Sequence, residues 1–257
     1  MSTLFNKYQG TGNDFIIIDN RDLHFISEPA VISRMCHRRF GIGADGLILI
    51  EPDKDTDFRM RYYNADGYEG SMCGNGGRCS AHFAFKNKIA GSVMKFTAYD
   101  GIHNATVNGD EVQLTMSDVK EINLTGDNCF LNTGSPHHIE FVSDINDIDV
   151  VGEGRRIRYS DRYAPQGTNV NFVSIAEERL EVRTYERGVE DETLSCGTGV
   201  TASAIAAVLG RHFDRMPVKV ATSGGLLTVS FRIGKEIITD VTLSGPATFV
   251  FEGKFKL

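Results

Sequence analysis

The chain has 257 residues, 41% of them hydrophobic, with 27 Lys and Arg against 34 Asp and Glu and a formal charge of −7. That length suits one large domain or two ordinary ones with real cores. The acidic balance lacks the attraction to phosphates that dominates nucleic-acid binding, so no nucleic-acid partner is expected; no run of about 18 apolar residues is present, so no membrane span is expected either.

Residues 1–10 are polar and mixed, with no secretory apolar region. Thr11-Gly12-Asn13-Asp14-Phe15 leads into an apolar strand at Ile16-Ile17-Ile18. Met60-Arg61-Tyr62-Tyr63-Asn64 alternates in character and reads as a second strand. Cys73-Gly74-Asn75-Gly76-Gly77-Arg78-Cys79 then opens a helix carrying Ala81, Phe83, Ala84 and Phe85, with Gly91 as its predicted stop. Residues 97–101 lead into a hairpin turned by Asn108-Gly109, a type I′ signal. Thr133-Gly134-Ser135-Pro136-His137 precedes the strand Ile139-Glu140-Phe141-Val142. The polar stretch 155–167 reads as a surface loop. Val182-Arg183-Thr184-Tyr185-Glu186 is strand-like. Cys196-Gly197-Thr198-Gly199-Val200-Thr201-Ala202 opens a second helix over 204–209, stopped at Gly210. Residues 221–225 begin a second hairpin, turning near Gly234-Lys235.

Cys73 and Cys196 lie 123 positions apart, and their strands, helices and hairpins recur at nearly the same offset. The pattern predicts an internal duplication. Each half runs strands, thiol-headed helix, hairpin, without regular βαβ alternation, so the fold class expected is α+β. Two pseudo-symmetric domains follow, each a mostly antiparallel or mixed sheet wrapped around a central helix. The predicted domains are 1–118 plus 246–257, carrying Cys73, and 119–245, carrying Cys196. The halves are expected to meet around 118–130, with a ligand crevice between domains.

A helix N-terminus offers backbone N–H donors and partial positive charge. A cysteine there has its thiol activated, and adjacent glycines admit a ligand close to the backbone. Two such heads suit a carboxylate and the charge that develops on it when the neighbouring carbon loses a proton. One thiolate would take the proton from one face and the other thiol would return one to the opposite face, inverting the stereocentre by general acid–base catalysis. Cys36, Cys129 and Cys79, whose repeat counterpart is Ala202, read instead as small core hydrophobes. Five cysteines with no Cys-x-x-Cys form no disulfide framework, and the expected compartment is the reducing cytoplasm. His137-His138 lacks the companions of a zinc site, and the glycine run lacks the P-loop lysine and dinucleotide spacing. No metal and no cofactor are expected.

Taken together, Gly12-Asn13-Asp14-Phe15, Gly41-Ile42-Gly43-Ala44-Asp45-Gly46, Tyr63-Asn64-Ala65-Asp66-Gly67, Cys73-Gly74-Asn75-Gly76, Gly134-Ser135-Pro136-His137, Asn169-Val170-Asn171-Phe172, Tyr185-Glu186-Arg187-Gly188 and Cys196-Gly197-Thr198-Gly199 resemble the diaminopimelate epimerase family over essentially the whole chain. The resemblance implies a two-domain, cofactor-independent enzyme interconverting L,L- and meso-2,6-diaminopimelate on the route to lysine and peptidoglycan, with a homodimer possible. It implies Cys73 and Cys196 as the acid/base thiols, and Gly74, Asn75, Gly197 and Thr198 as backbone donors to the reacting carboxylate. Glu186 would lie near the reacting amino group and His137 beside the reaction centre. Asn13, Asn64, Asn169 and Arg187 would read the distal end, where Arg187 suits a bidentate carboxylate pair; each asparagine also reads as a turn residue bonding locally. Ser135 stands where many members have asparagine, and Gly46 where some have glutamine.

Three rivals compete with that reading. A proline or hydroxyproline racemase with two cysteines would leave Asn64, Asn169 and Arg187 without a ligand. An isomerase of the phenazine-biosynthesis type does not need both thiols. A redox sensor with a Cys73–Cys196 disulfide needs the sulfurs within bonding range and leaves Glu186 and Arg187 without a role.

Overall fold

The computed structural model describes residues 2–125 and 128–256. Met1, Gly126, Asp127 and Leu257 lie outside the described residues, and Gly126 and Asp127 fall within the stretch where the halves were expected to meet. The chain divides into two compact units, Met1–Leu114 with Gly245–Leu257, and Thr115–Ser244.

In the first unit, β1 (Ser2–Gly10) and β2 (Asn13–Asp19) form a hairpin, followed by α1 (Pro29–Cys36), β3 (Gly46–Glu51) and β4 (Phe58–Asn64). Then come α2 (Gly74–Lys86), β5 (Val93–Ala98), β6 (Gly101–Asn108) and β7 (Glu111–Thr115). The returning C-terminal strand, Thr248–Lys256, pairs antiparallel with β1. From that strand the ladder runs through β1, β2, β3, β4, β5, β6 and β7, with β2–β3 and β4–β5 parallel. The sheet curls around α2, which packs against β1 and β6 and against the returning strand. Every α2 residue from Gly74 to Ala84 is buried, as expected of a helix enclosed on all sides. Small residues permit this: a Cβ on Gly77 would stand 2.5 Å from Met72 Cε and 2.9 Å from Leu114 Cδ2.

The helix α1 has no counterpart among the elements expected from the sequence. Its Ile32 and Met35 cover Ile16, Ile18, Leu47 and Leu49 on the outer face of β2 and β3. Those strands are therefore buried on both faces, which explains unbroken apolar runs where alternation would mark a one-sided strand. The α2 helix stops at Lys86 rather than near Gly91, because Asn87 caps it, its backbone and side-chain N–H groups both reaching Phe83 O. In the β6–β7 hairpin Asn108 pairs with Glu111, so the loop residues are Gly109 and Asp110, with Gly109 leading at φ +61°. A glycine-first turn is the type II′ placement, one residue on from the expected type I′ turn.

The second unit repeats this plan. Its elements are β8 (Ile122–Thr125), β9 (Asn128–Asn132), β10 (Pro136–Phe141), α3 (Val150–Arg158), β11 (Asn169–Ile175), β12 (Leu180–Glu186) and β13 (Asp191–Thr193). After them come α4 (Gly197–Leu209), β14 (Val218–Thr222), β15 (Gly225–Ile233) and β16 (Ile238–Pro246), leading into the returning strand, β17. Again the second and third core strands, β10 and β11, are parallel, and β12 closes antiparallel on β11. The α4 helix is enclosed by β9, β10, β11, β12, β14 and β15, among Leu131, Ile139, Val173, Val182, Val229 and Leu243. It ends at Gly210, as the sequence predicts. The expected loop at 155–167 is instead helical as far as Arg158. Asp149 caps α3 through the Gly152 N–H, and Val150 and Ile157 are buried; the arginines at 155, 156 and 158 mask this short amphipathic face in the sequence while favouring the C-terminal end of the helix dipole.

Ladder registers put the two halves in correspondence. Phe15 pairs with Gly46 and Ile48 with Tyr62; likewise His137 pairs with Asn169 and Asn171 with Thr184. Phe15, Ile48 and Tyr62 are thus the counterparts of His137, Asn171 and Thr184.

Candidate active site

Each thiol sits at the N-cap of a 13-residue helix, Cys73 at φ −112°, ψ 118° and Cys196 at φ −117°, ψ 109°. The first intrahelical bonds are Gly77 N–H to Cys73 O at 2.8 Å and Val200 N–H to Cys196 O at 2.9 Å. The N–H groups of Gly74 and Gly197, with those of Asn75 and Thr198, therefore lead out of the helix heads. Neither first turn holds an acidic residue to neutralise the positive helix end.

At the first head, the Cys73 thiol donates to Asn13 Oδ1 at 3.5 Å. Asn13 cannot turn over, because its Nδ2 donates to Asp45 Oδ2 at 2.6 Å. Asp45 and Asp14 share Arg38, and Asp14 also meets Lys7 at 2.7 Å. Burial alone would raise Asp14, but hydrogen bonds from Arg38 and Lys7 outweigh it and hold the carboxyl at about 2. Asn75 is buried, its Oδ1 accepting from Thr11 Oγ1 at 3.3 Å and Arg78 Nη2 at 3.0 Å. Arg78 is fully buried, and its other acceptors are Thr11 Oγ1, Gly74 O and Pro246 O, all neutral. Among the described residues it has no carboxylate partner, a costly state for a buried cation; here it adds to the positive field of the α2 head. Asn64, at the end of β4, is exposed.

Gly46 is required by its neighbour. A Cβ there would stand 2.4 Å from Tyr62 Cε2 and 2.5 Å from Tyr63 O. The same Tyr62 ring would lie 2.9 Å from a Cβ on Gly70, whose other close neighbour is Asn64 Nδ2. In this chain the Tyr62 ring fills the space that a side chain at 46 would need.

At the second head, Cys196 Sγ lies 3.4 Å from Thr198 Oγ1, and Thr198 Oγ1 lies 2.9 Å from His137 Nε2. Thr133 Oγ1 holds Thr198 O at 2.9 Å. His137 is fully buried, and burial followed by the Arg187 charge pushes its ring down to about 3, so it is neutral at physiological pH. Its Nδ1 lies 3.1 Å from Asn171 Nδ2. Asn169 is buried and uses its amide locally, donating to Pro136 O at 3.0 Å and accepting the Arg187 N–H at 2.8 Å. The Arg187 guanidinium is half-exposed and meets Gln166 O at 3.5 Å. Glu186 ends β12, half-buried, in register with Asp191.

In the first unit the structure gathers Cys73, Gly74, Asn75 and Asn13; in the second it gathers Cys196, Gly197, Thr198, His137, Asn169 and Arg187. Residue-type reasoning missed Arg78, Thr11 and Asp45 at the first head and Asn171, Thr184 and Thr133 at the second. Asn171 left one signal, a second asparagine two positions after Asn169 and so on the same face of a mostly apolar strand. Cys36, Cys79 and Cys129 are buried, and burial pushes the thiols of Cys36 and Cys79 up to about 12. Among the described residues no group of three or more His, Cys, Asp or Glu is placed to hold a metal ion, and no helix is long and apolar enough to cross a membrane.

A family model described as diaminopimelate epimerase matches residues 5–122 and 129–250. The diaminopimelate epimerase of Flavobacterium psychrophilum is 52% identical over 249 residues, covering 96% of this chain and 97% of that protein. That of Chlorobaculum tepidum is 45% identical, covering 96% and 99%. Among solved structures, a phenazine biosynthesis protein of the PhzF family from Bacillus anthracis superposes with a TM-score of 0.80 at 14% identity, covering all of both chains. A hydroxyproline epimerase from Agrobacterium vitis, with bound trans-4-hydroxy-L-proline, gives 0.69 at 13% identity, covering 98% of this chain and 92% of that one. At such identities the structural likeness establishes the α+β fold with its duplication, and nothing about substrate.

Proposed function

The chain belongs to the diaminopimelate epimerase family, and on that premise we propose that it interconverts L,L- and meso-2,6-diaminopimelate by a two-base mechanism. The observation that carries the mechanism is the pair of cysteine-capped helices, alike in length and cap geometry and bare of acidic residues in the first turn. One sulfur, as thiolate, takes the proton from the α-carbon; the other, as thiol, delivers its proton to the opposite face. Net charge is conserved, and the two sulfurs exchange protonation states in each turnover. The reading requires Cys73 and Cys196 to reach opposite faces of one α-carbon.

The α-proton is a very weak acid, so the adjoining carboxylate must be stabilised as charge moves onto it. Helix-head N–H groups of Gly74, Asn75, Gly197 and Thr198 suit that task, and the buried Arg78 strengthens the first head. Glu186 would hold the reacting amino group, and Asn13, Asn64 and Arg187 the distal amino acid end, with Asn169 fixing the Arg187 backbone. The chemistry needs reduced sulfurs, which favours a reducing compartment such as the cytoplasm.

The test is a stereochemical assay on L,L-diaminopimelate in deuterium oxide under reducing conditions. The meso isomer should appear with deuterium at the inverted α-carbon, and the reverse reaction should run from meso. No turnover, or turnover of proline or hydroxyproline instead, overturns the reading.

A further inference from the structure

The second unit carries a polar network that the first does without. Asn171, Thr184 and His137 are buried side by side between α4 and the sheet. Their register counterparts in the first unit are Ile48, Tyr62 and Phe15, and Asn75 stands where Thr198 stands. The helix glycines show the same contrast: a Cβ on Gly76 would meet Ile48 Cδ1 and Met60 Cε, whereas one on Gly199 would meet Asn171 Oδ1 and His137 Cε1. The fold therefore stands without a polar group at the Asn171 or His137 positions. Burying such groups is unfavourable unless each is satisfied.

The orientations of Asn171 and His137 are determined by their partners. Asn171 Nδ2 lies 2.9 Å from His138 O, which only accepts, so the NH₂ end must face that way. Asn171 Oδ1 receives the Thr184 hydroxyl at 3.0 Å. The same NH₂ group therefore donates to His137 Nδ1. A neutral imidazole that accepts at Nδ1 carries its proton on Nε2. Nε2–H then donates to Thr198 Oγ1, so the Thr198 hydroxyl proton is not taken up by His137 and can be directed at Cys196 Sγ, 3.4 Å away. We propose that Asn171 is a positioning residue that locks His137 as the Nε2–H tautomer, so that Thr198 donates to the Cys196 sulfur and favours its thiolate.

Other groups facing this chain of bonds are few. Glu186 and Arg187 stand at the end of β12, β11 carries no charged residue, and the first turn of α4 carries none. His138, next on β10, points to the other face, where its Nδ1 meets Tyr163 Oη. The role rests on the proposed epimerase reading for its use in turnover. Its test needs no substrate, so the two fail separately: a wild-type enzyme inert toward diaminopimelate leaves the thiol measurements below untouched.

Protein labelled with ¹⁵N-histidine should show His137 with its proton on Nε2 from pH 8 to about 5; a proton on Nδ1 overturns the proposal. The second measurement is the pH at which alkylation of each cysteine by iodoacetamide is half-maximal, read by peptide mass spectrometry; this midpoint is insensitive to how exposed each sulfur is. Asn171→Leu should raise the Cys196 midpoint by about one pH unit without raising that of Cys73, the internal control. Thr198→Val should do the same, and Thr198→Ser should restore the wild-type midpoint. An unchanged Cys196 midpoint in folded Asn171→Leu, or Thr198→Val indistinguishable from Thr198→Ser, overturns it. Where circular dichroism shows Asn171→Leu unfolded, the Thr198 pair and the wild-type spectrum decide.

Discussion

Cys73 and Cys196 sit at helix heads rather than among the side chains that hold the cores together, so shortening them removes little packing. Cys73→Ala and Cys196→Ala should each keep the fold and lose nearly all epimerisation. A folded variant retaining more than about a tenth of wild-type kcat, a barrier change below roughly 1.4 kcal/mol, is incompatible with two required sulfurs. Arg187 is a different case. Its backbone is pinned by Asn169, while among the described residues its guanidinium makes one long contact, to Gln166 O, leaving the fork for a carboxylate. Lysine keeps the charge and loses the two parallel bonds. Arg187→Lys should raise KM about tenfold with a smaller effect on kcat, because a distal grip is similar in ground and transition states. Kinetics within about twofold of wild type would move distal recognition to Asn13 and Asn64. Asn169 shows where residue-type reasoning stops short. An asparagine that touches substrate and one that ties Pro136 O to the Arg187 N–H read alike in sequence, since both need an amide at the start of a strand.

Among the elements, α2 and α4 correspond residue for residue, yet their inner glycines face different neighbours. On Gly76 an added Cβ would approach Ile48 Cδ1 and Met60 Cε at 3.2 Å, the far ends of side chains that can give way. On Gly199 it would stand 2.3 Å from Asn171 Oδ1, and Asn171 is held by three hydrogen bonds. Gly76→Ala should therefore be close to neutral, the strain offset by about 1 kcal/mol of gained helix propensity. Gly199→Ala should cost about 1–3 kcal/mol as an overpacked site and reduce kcat by pushing α4 away from His137. Urea denaturation of both variants checks this, and a larger loss at Gly76 would contradict the geometry. The duplication, the two thiol-headed helices, the hairpins and the Gly210 stop were legible because each has a local signal: periodicity, a glycine, a repeated phrase. Two features escaped for physical reasons. The α1 helix shows its apolar face only through Ile32, Met35 and Cys36, too few for a periodic signal, and the three arginines on α3 hide a short helix whose evidence is tertiary. The network around His137 was invisible because it joins residues from β10, β11, β12 and α4, which only the fold brings together.

For the molecule as a whole, the buried histidines set how stability depends on pH. Burial and the nearby Arg187 charge push His137 from 6.5 down to about 3, and burial with Arg162 and Arg156 pushes His138 down to about 4. A group with a depressed folded pKa binds its proton more readily in the unfolded chain. Stability from keeping these rings neutral is therefore complete above about pH 6.5 and falls as pH drops toward 4. The carboxylates work in a lower window. Asp14 and Glu190, both held at about 2 from 3.8 and 4.5, lose their contribution only below their unfolded values. The interval between about pH 6.5 and 4.5 thus belongs chiefly to the histidines. His138 recovers part of its penalty when charged, because Glu140 lies 3.5 Å from its Nε2. His137 has no ion-pair partner among the described residues and should dominate. Lowering the pH across this interval should destabilise the protein by on the order of a few kcal/mol, read as a falling urea midpoint. His137→Gln should flatten that slope more than His138→Gln, even where it lowers stability at pH 8, because the slope reports proton uptake and the offset reports packing. A midpoint that stays level from pH 7 to 4.5 would mean that the rings take up protons as easily in the folded protein as in the unfolded chain, and the neutral His137 on which the Thr198 relay depends would have to be given up.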